Sequence, residues 1–273
     1  MPLTQPIKIA ALQTATGADL ETNLTGADEL ISQAAARGAR LVALPEFFAL
    51  MSDDETEKVR LREDEGSGRI QDFLRDAAQR YGVWIIGGTL PLVADSKDRV
   101  RNAAMVFDDR GKQVARYDKI HLFGFRRGRE HYNEAATIEP GSRVVTFDSP
   151  AGQVGLAVCY DLRFPELFRA MGKVDLIVLP SAFAYTTGQA HWEPLLRARA
   201  IENQCYLLAA AQSGLHPNGR RTWGHSMIVD PWGDILACRE DGAGVALAEV
   251  DPARLAGIRM ALPALSHCRP ELF

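Results

Sequence analysis

An α/β fold with two packed sheets is what this sequence predicts. Short apolar runs suited to buried strands alternate with stretches whose apolar residues recur every three or four positions. The alternation restarts after Pro140-Gly141, and each half carries two helical stretches and a hairpin signal. Of the 273 residues, 47% are hydrophobic and 24% charged, the balance of a chain that buries a substantial core.

Ile7-Lys8-Ile9-Ala10-Ala11-Leu12 reads as the first buried strand. Leu20, Leu24, Ala27, Ile31 and Ala34 mark an amphipathic helix ending near Gly38. Residues 41–44 form a second strand. The polar stretch 52–68 is read as a surface excursion, because periodic segments resume on both sides of it. Ile70, Phe73, Leu74, Ala77 and Tyr81 mark a second helix, with a strand following at 83–86. Strands at 103–107 and 113–117 flank Asp108-Asp109-Arg110-Gly111, a hairpin turn. In the second half, strands are expected at 143–147 and 154–158, then a helix near 165–171. A strand at 176–179, a long helix around 192–203 and a strand at 206–210 follow. Strands 226–229 and 235–238 bracket the turn Asp230-Pro231-Trp232-Gly233-Asp234.

Charge and cysteine usage remove several function classes. With 31 basic against 35 acidic residues the net charge is −4, which argues against a nucleic-acid partner or a polybasic membrane-surface protein. No apolar run approaches the roughly 20 residues that span a bilayer. The first residues show no basic segment followed by an apolar one, so no secretory signal is expected. Four cysteines without CxxC spacing suit neither a disulfide framework nor a zinc ribbon, and a reduced, cytoplasmic protein is the simplest reading. Gly87-Gly88 and Gly242-Ala243-Gly244 fit neither a dinucleotide motif nor a P-loop. The histidines show no metal-ligand spacing and there is no GxSxG.

Chemistry concentrates where strands end. After Leu41-Val42-Ala43-Leu44, Pro45 stops the strand and Glu46 stands alone among apolar residues. Burial there is expected to raise its pKa toward the range of a general base, although an ordinary turn acid has the same local sequence. Lys119 closes the strand before Ile120-His121-Leu122-Phe123; a surface lysine remains open from the residues alone. Gly155-Leu156-Ala157-Val158 runs into Cys159 and a polar turn leading to a helix, which resembles a nucleophile elbow. An inert buried cysteine is the alternative, and His191 or His225 stay open as its partners. Cys205, Cys238 and Cys268 lack such a setting.

Together, Leu-Pro-Glu46-Phe, Tyr-Asp-Lys119-Ile-His-Leu-Phe and Cys159-Tyr-Asp-Leu-Arg-Phe-Pro-Glu-Leu resemble the Glu, Lys and Cys motifs of the nitrilase superfamily of carbon–nitrogen hydrolases. The resemblance runs from about Ile7 to the C-terminus. Glu134 falls where that family has a second glutamate. Pro180-Ser-Ala-Phe183, Ala190-His-Trp-Glu193, Gly224-His-Ser-Met-Ile-Val-Asp-Pro-Trp-Gly233 and the tail from Leu262 to Phe273 are similar to the Nit branch. Its activities include deaminated-glutathione amidase, which the 209–214 segment and the tail favour, and ω-amidase. One departure is Gly124, standing where many members of the branch carry an acidic residue, so the 123–133 loop is expected to bear on specificity.

The resemblance implies a four-layer αββα sandwich forming one domain over residues 1–273, with subunits associating as a homo-oligomer through helical layers. It also implies amide hydrolysis through a thioester and no cofactor. In that scheme Glu46 takes the Cys159 proton, the thiolate attacks the amide, and Lys119 with the Tyr160 backbone N–H stabilises the oxyanion. Glu46 then protonates departing ammonia and activates the hydrolytic water, while Glu134 holds Lys119. A small keto-acid amide suits a guanidinium, and Arg163 is the arginine nearest the nucleophile in sequence, although Glu166 can also pair with it. Phe183 is expected to line the pocket, and Trp192 to serve packing.

Overall fold

The computed structural model describes residues 3–128 and 130–269; Arg129 of the 123–133 loop and Pro270 to Phe273 of the tail motif lie outside them. The first half runs β1 (Ile7–Gln13), α1 (Leu20–Ala36), β2 (Ala39–Ala43), α2 (Glu57–Arg60), α3 (Arg69–Tyr81), β3 (Trp84–Ile86), β4 (Leu90–Val93), β5 (Val100–Phe107) and β6 (Gln113–Asp118). A hairpin of β7 (Gly124–Arg127) and β8 (Glu130–Asn133) follows. The second half runs β9 (Thr146–Ser149), β10 (Gly152–Leu156), α4 (Pro165–Ala170), β11 (Leu176–Ser181), α5 (Tyr185–Asn203) and β12 (Tyr206–Ala211). It ends with β13 (Ser213–Leu215), β14 (Arg221–Trp223), β15 (Ser226–Val229), β16 (Ile235–Arg239), β17 (Gly244–Val250) and α6 (Pro252–Ala261).

Each sheet has a parallel centre, and parallel neighbours require a crossover, which a helix supplies. In the first sheet α1 joins β1 to β2 and α3 joins β2 to β3. In the second, α4 joins β10 to β11 and α5 joins β11 to β12. Antiparallel strands complete both, in the orders β17-β1-β2-β3-β5-β4 with β6 on β5, and β16-β15-β12-β11-β10-β9. The C-terminal strand β17 pairs along all of β1, so the second half of the chain finishes the first sheet.

Side-chain alternation sorts the layers. Along β1, Ile9 and Ala11 point into the core shared with Leu156, Val178 and Leu208 of the second sheet, while Ala10 and Leu12 join Leu24, Ile31 and Leu74 under α1 and α3. On the far side of the second sheet, Trp192, Leu196 and Phe168 close the core beneath α5 and α4. The layering is therefore helices, sheet, sheet, helices, the four-layer αββα arrangement that the motifs implied. Among the described residues, no helix is long and apolar enough to cross a membrane.

Candidate active site

The parallel strands of both sheets point their C-terminal ends to one edge, the position where open α/β sheets present reactive groups. Glu46 follows β2, Cys159 follows β10, Ala182 follows β11 and Gln212 follows β12. Lys119 follows β6, at the edge of the first sheet.

Glu46 is buried, and three donors hold its carboxylate. Lys119 Nζ (2.8 Å) and Asn102 Nδ2 (2.9 Å) donate to Oε1, and the Ala182 backbone N–H donates to Oε2 at 3.0 Å. Its backbone carbonyl accepts from Gln212 Nε2 at 3.0 Å, and Gln212 is itself fixed by Thr14 and Thr16. The chain then turns sharply, with Phe47 at φ 57°. Gly88 makes room for that turn: a Cβ there would lie 2.1 Å from the Pro45 carbonyl oxygen.

Lys119 is also buried. Besides Glu46 its ammonium meets Glu134 Oε2 at 2.7 Å, and the same oxygen accepts from the Phe123 N–H at 2.7 Å. Burial works against the ammonium, but the carboxylates of Glu134 and Glu46 outweigh it and hold the Lys119 pKa above the ordinary lysine value. Lys119 is thus a fixed cation between two carboxylates.

Cys159 takes φ 48°, a left-handed conformation that L side chains rarely adopt, and opens a 3₁₀ turn over Cys159–Arg163. Asp161 secures that turn with both oxygens. Oδ2 accepts from the Val158 N–H and Tyr117 Oη, and Oδ1 accepts from the His121 N–H and faces His121 Nδ1 at 2.7 Å. Tyr117 and His121 flank Lys119 in the chain, so this one buried carboxylate ties the lysine and cysteine segments together. Burial, reinforced by the Glu46 carboxylate, pushes the Cys159 thiol pKa well above its ordinary value against the pull of Lys119 and Arg220. The resting residue is a thiol.

Beside this cluster lies a cavity of about 260 Å³, a size for a small molecule. Glu134, Asn102, Phe123, Tyr132 and Arg220 are among the residues lining it. The β7–β8 hairpin supplies one wall and the 52–68 stretch, through α2, another, so both segments border the site. Among the described residues, two buried side-chain atoms lack hydrogen-bond partners, Glu134 Oε1 and Arg220 Nε, and both residues line this cavity.

Of the residues expected on sequence grounds, Glu46, Lys119, Glu134 and Cys159 come together. Arg163 and Phe183, expected to contact substrate, do not line the cavity, and neither does the side chain of Tyr160, whose expected contribution is its backbone N–H. The Arg163 guanidinium instead lies over the rings of Phe183 (5.2 Å) and Tyr160 (5.9 Å) and meets His191 Nδ1 at 3.2 Å. Side chains three apart on a 3₁₀ turn eclipse, so Tyr160 and Arg163 share one face of the turn, where the guanidinium is held by these rings. Phe183 packs on Trp192, whose indole donates to the His225 carbonyl, a packing role as expected. His225 stacks on Trp223, and the charged groups acting on the Cys159 thiol are Glu46, Lys119, Glu134 and Arg220. Asn102, Gln212, Asp161 and Arg220 were not foreseen. Only Gln212, a polar residue ending an apolar run, carries a signal of the kind that exposed Glu46.

The carbon–nitrogen hydrolase family model matches residues 8–260. A deaminated glutathione amidase of Yersinia enterocolitica is 41% identical over 96% of this chain and 92% of its own length. The structure of Saccharomyces cerevisiae Nit3, a member of branch 10 of the nitrilase superfamily, superposes with a TM-score of 0.88 at 31% identity, over 99% of this chain and 98% of that one. An amidase mutant from Nesterenkonia, with TM-score 0.78 and 25% identity over 99% of this chain and 97% of that one, shows covalent addition of the acetamide moiety of fluoroacetamide at its active-site cysteine. The chain belongs to the carbon–nitrogen hydrolase family and is an enzyme of that class.

Proposed function

We propose that this enzyme hydrolyses the amide of deaminated glutathione through a Cys159 thioester. The observation that carries the reading is the buried Glu46–Lys119–Glu134 cluster acting on Cys159 beside a cavity of about 260 Å³. The relatives named for this activity at about 40% identity support the choice of substrate.

The protonation states order the steps. Because the resting thiol is protonated, the thiolate forms only as the proton leaves. Glu46 Oε2 receives it: a carboxylate offers about four lone-pair positions, and three are already filled. Sulfur attacks the amide carbonyl, and the charge arising on its oxygen is met by the Lys119 ammonium and the Tyr160 N–H. That N–H lies in the first turn of the 3₁₀ segment, where it has no intrahelical acceptor. One such donor is worth about 3–4 kcal/mol. Glu46 returns the proton to the departing nitrogen, the C–N bond breaks and a thioester remains. For a simple amide the leaving group is ammonia; for deaminated glutathione it is the amine of cysteinylglycine. Glu46 then deprotonates a water, hydroxide displaces the sulfur, and the proton goes back to the thiolate. Glu134 anchors Lys119 through Oε2 and offers Oε1 to the substrate N–H.

Intact mass after mixing with a slow amide should show one acyl adduct, absent in Cys159→Ala. Glu46→Gln and Lys119→Ala should each lose at least 10²-fold in kcat with the fold retained. Activity persisting in Cys159→Ala would overturn the mechanism. Turnover of α-ketoglutaramate or a nitrile in preference to deaminated glutathione would overturn the substrate. We further read the chain as one domain over residues 1–273 and as a cytoplasmic homo-oligomer; exposed Ile201, Trp232, Met260 and Leu262 on and beside α5 and α6 support association through that layer.

A further inference from the structure

Arg220 sits in the loop of the β13–β14 hairpin, and that loop is tightly held. The His216 N–H donates to the Arg220 carbonyl at 2.9 Å, and the Arg220 N–H donates to Asn218 Oδ1 at 3.0 Å. His216 pins the loop to the body of the protein through the Thr16 carbonyl (2.9 Å) and Thr222 Oγ1 (2.7 Å). The guanidinium lies over the Tyr132 ring at 5.1 Å and donates through Nη2 to the Ala182 carbonyl at 2.6 Å. The N–H of that same residue holds Glu46, so the guanidinium is braced one residue from the candidate general base.

What Arg220 lacks is an anion. Among the described residues no carboxylate lies within ion-pair distance of it, whereas Lys58, another cation of the cavity wall, is paired with Glu55. Its Nε is buried without an acceptor. A fixed guanidinium with a desolvated, unused donor leaves a cost that an incoming acceptor removes, and a planar carboxylate fits best. Across the same cavity, Glu134 Oε1 is a buried acceptor without a donor. Among the described residues the wall therefore presents one unpartnered buried donor and one unpartnered buried acceptor, the complement of a molecule with a carboxylate and an amide N–H. Because the guanidinium is bonded to Ala182, whose N–H holds Glu46, an anion on Arg220 sits at the end of the cavity beside the catalytic cluster.

We propose that Arg220 selects amides whose acyl chain ends in a carboxylate. This rests on the amide-hydrolase reading of the cluster, but not on deaminated glutathione being the substrate. A site built to bond a polar group rejects analogues that lack it, because its own buried group is then left unpaired.

The test compares four amides, glutaramate, valeramide and the glutaryl and valeryl amides of cysteinylglycine. They vary the acyl and leaving-side carboxylates independently. The wild type should favour both glutaryl compounds over their valeryl counterparts. In Arg220→Gln that preference should fall about 10- to 100-fold, chiefly through KM, and Arg220→Lys should restore part of it. An undiminished preference in Arg220→Gln, or a penalty that follows the cysteinylglycine carboxylate instead, would overturn the proposal. If Arg220→Gln does not fold, absence of any glutaryl preference in the wild type has the same force, and Arg220→Lys carries the comparison. Binding of glutarate against valerate, read as a thermal shift of wild type and variants, reports on Arg220 without turnover. Failure to hydrolyse any amide would thus refute the proposed function while glutarate binding still decides the subsite.

Discussion

At the scale of single residues, the site divides by how each group does its work. In the proposed mechanism Glu46, Lys119 and Cys159 act through their own side chains, and a titratable residue at the end of an apolar strand stands out in a sequence. Asn102 and Gln212 act by holding Glu46, Ala182 through its backbone N–H alone, and Asp161 by joining two segments that lie 40 residues apart in the case of its bond to His121. Such roles depend on what approaches in space, so composition and spacing are blind to them. His216 is another of this kind, and its geometry has a pH consequence. The Thr16 carbonyl makes Nδ1 a donor, and in the neutral imidazole Nε2 then accepts from the Thr222 hydroxyl, so both nitrogens are satisfied. Burial, assisted by the Arg220 charge, holds its pKa below the ordinary 6.5 despite the Thr16 carbonyl. The unfolded chain therefore takes up a proton that the folded chain refuses, so stability is unaffected well above pH 6.5 and falls as pH drops below it. Urea midpoints measured between about pH 7 and 5 should decline less steeply for His216→Gln than for wild type. Identical slopes would exclude His216 as a source of acid sensitivity.

At the scale of elements, the parallel centre of each sheet was legible because fully buried strands and amphipathic helices leave strong periodic signals. The edges were not. Strands β4, β7, β8, β13, β14 and β17 are short or only half-buried, too brief or too mixed for a clear alternation, and β17 owes its pairing to β1 at the far end of the chain. Helix α5 begins at Tyr185, seven residues before the expected start. Its first turns bury small residues instead of an apolar stripe: a Cβ on Gly188 would fall 2.4 Å from the Trp223 side chain, so close packing replaces periodicity there. Strand β9 begins at Thr146 instead of 143, and β10 spans Gly152–Leu156 instead of 154–158, because Ala157 and Val158 already lead into the cysteine turn. Strand ends position chemistry only if the segment beyond them is clamped. Lys119 is clamped by Gly141, whose N–H donates to the Lys119 carbonyl at 2.8 Å and whose Cβ position lies 2.1 Å from the Asp118 carbonyl oxygen. Gly141→Ala cannot keep that approach, and the backbone must retreat. Overpacking of this kind costs about 1–3 kcal/mol, while an ångström of misplacement costs about 10²-fold in rate. The expected outcome is a modest loss of Tm with kcat down by about two orders of magnitude; a full loss of stability at unchanged kcat would show that the clamp serves folding and not the lysine.

At the scale of the whole molecule, the repeated alternation invites a cut near Pro140-Gly141, and three features of the fold oppose it. Strand β17 returns from the second half to pair with β1, so the first sheet is incomplete without residues beyond 243. The largest core cluster takes Ile9, Leu41 and Val106 from one sheet and Leu156, Val178 and Leu208 from the other. The site is also divided, since Glu46 and Lys119 follow strands of the first sheet while Cys159, Ala182 and Gln212 follow strands of the second. Neither half buries its inner sheet face alone, and an exposed face of that size is not stable in water. The proposal of one domain then has a direct consequence. Unfolding in urea should be a single transition, with far-UV circular dichroism, tryptophan fluorescence and residual hydrolysis all following one midpoint. Val178→Ala, which removes methyl groups at the middle of β11 in the shared core, should cost on the order of 1–3 kcal/mol and move all three signals together. Two transitions, with hydrolysis lost in the first while one half keeps its secondary structure, would mean that the halves fold independently and meet only at the catalytic edge.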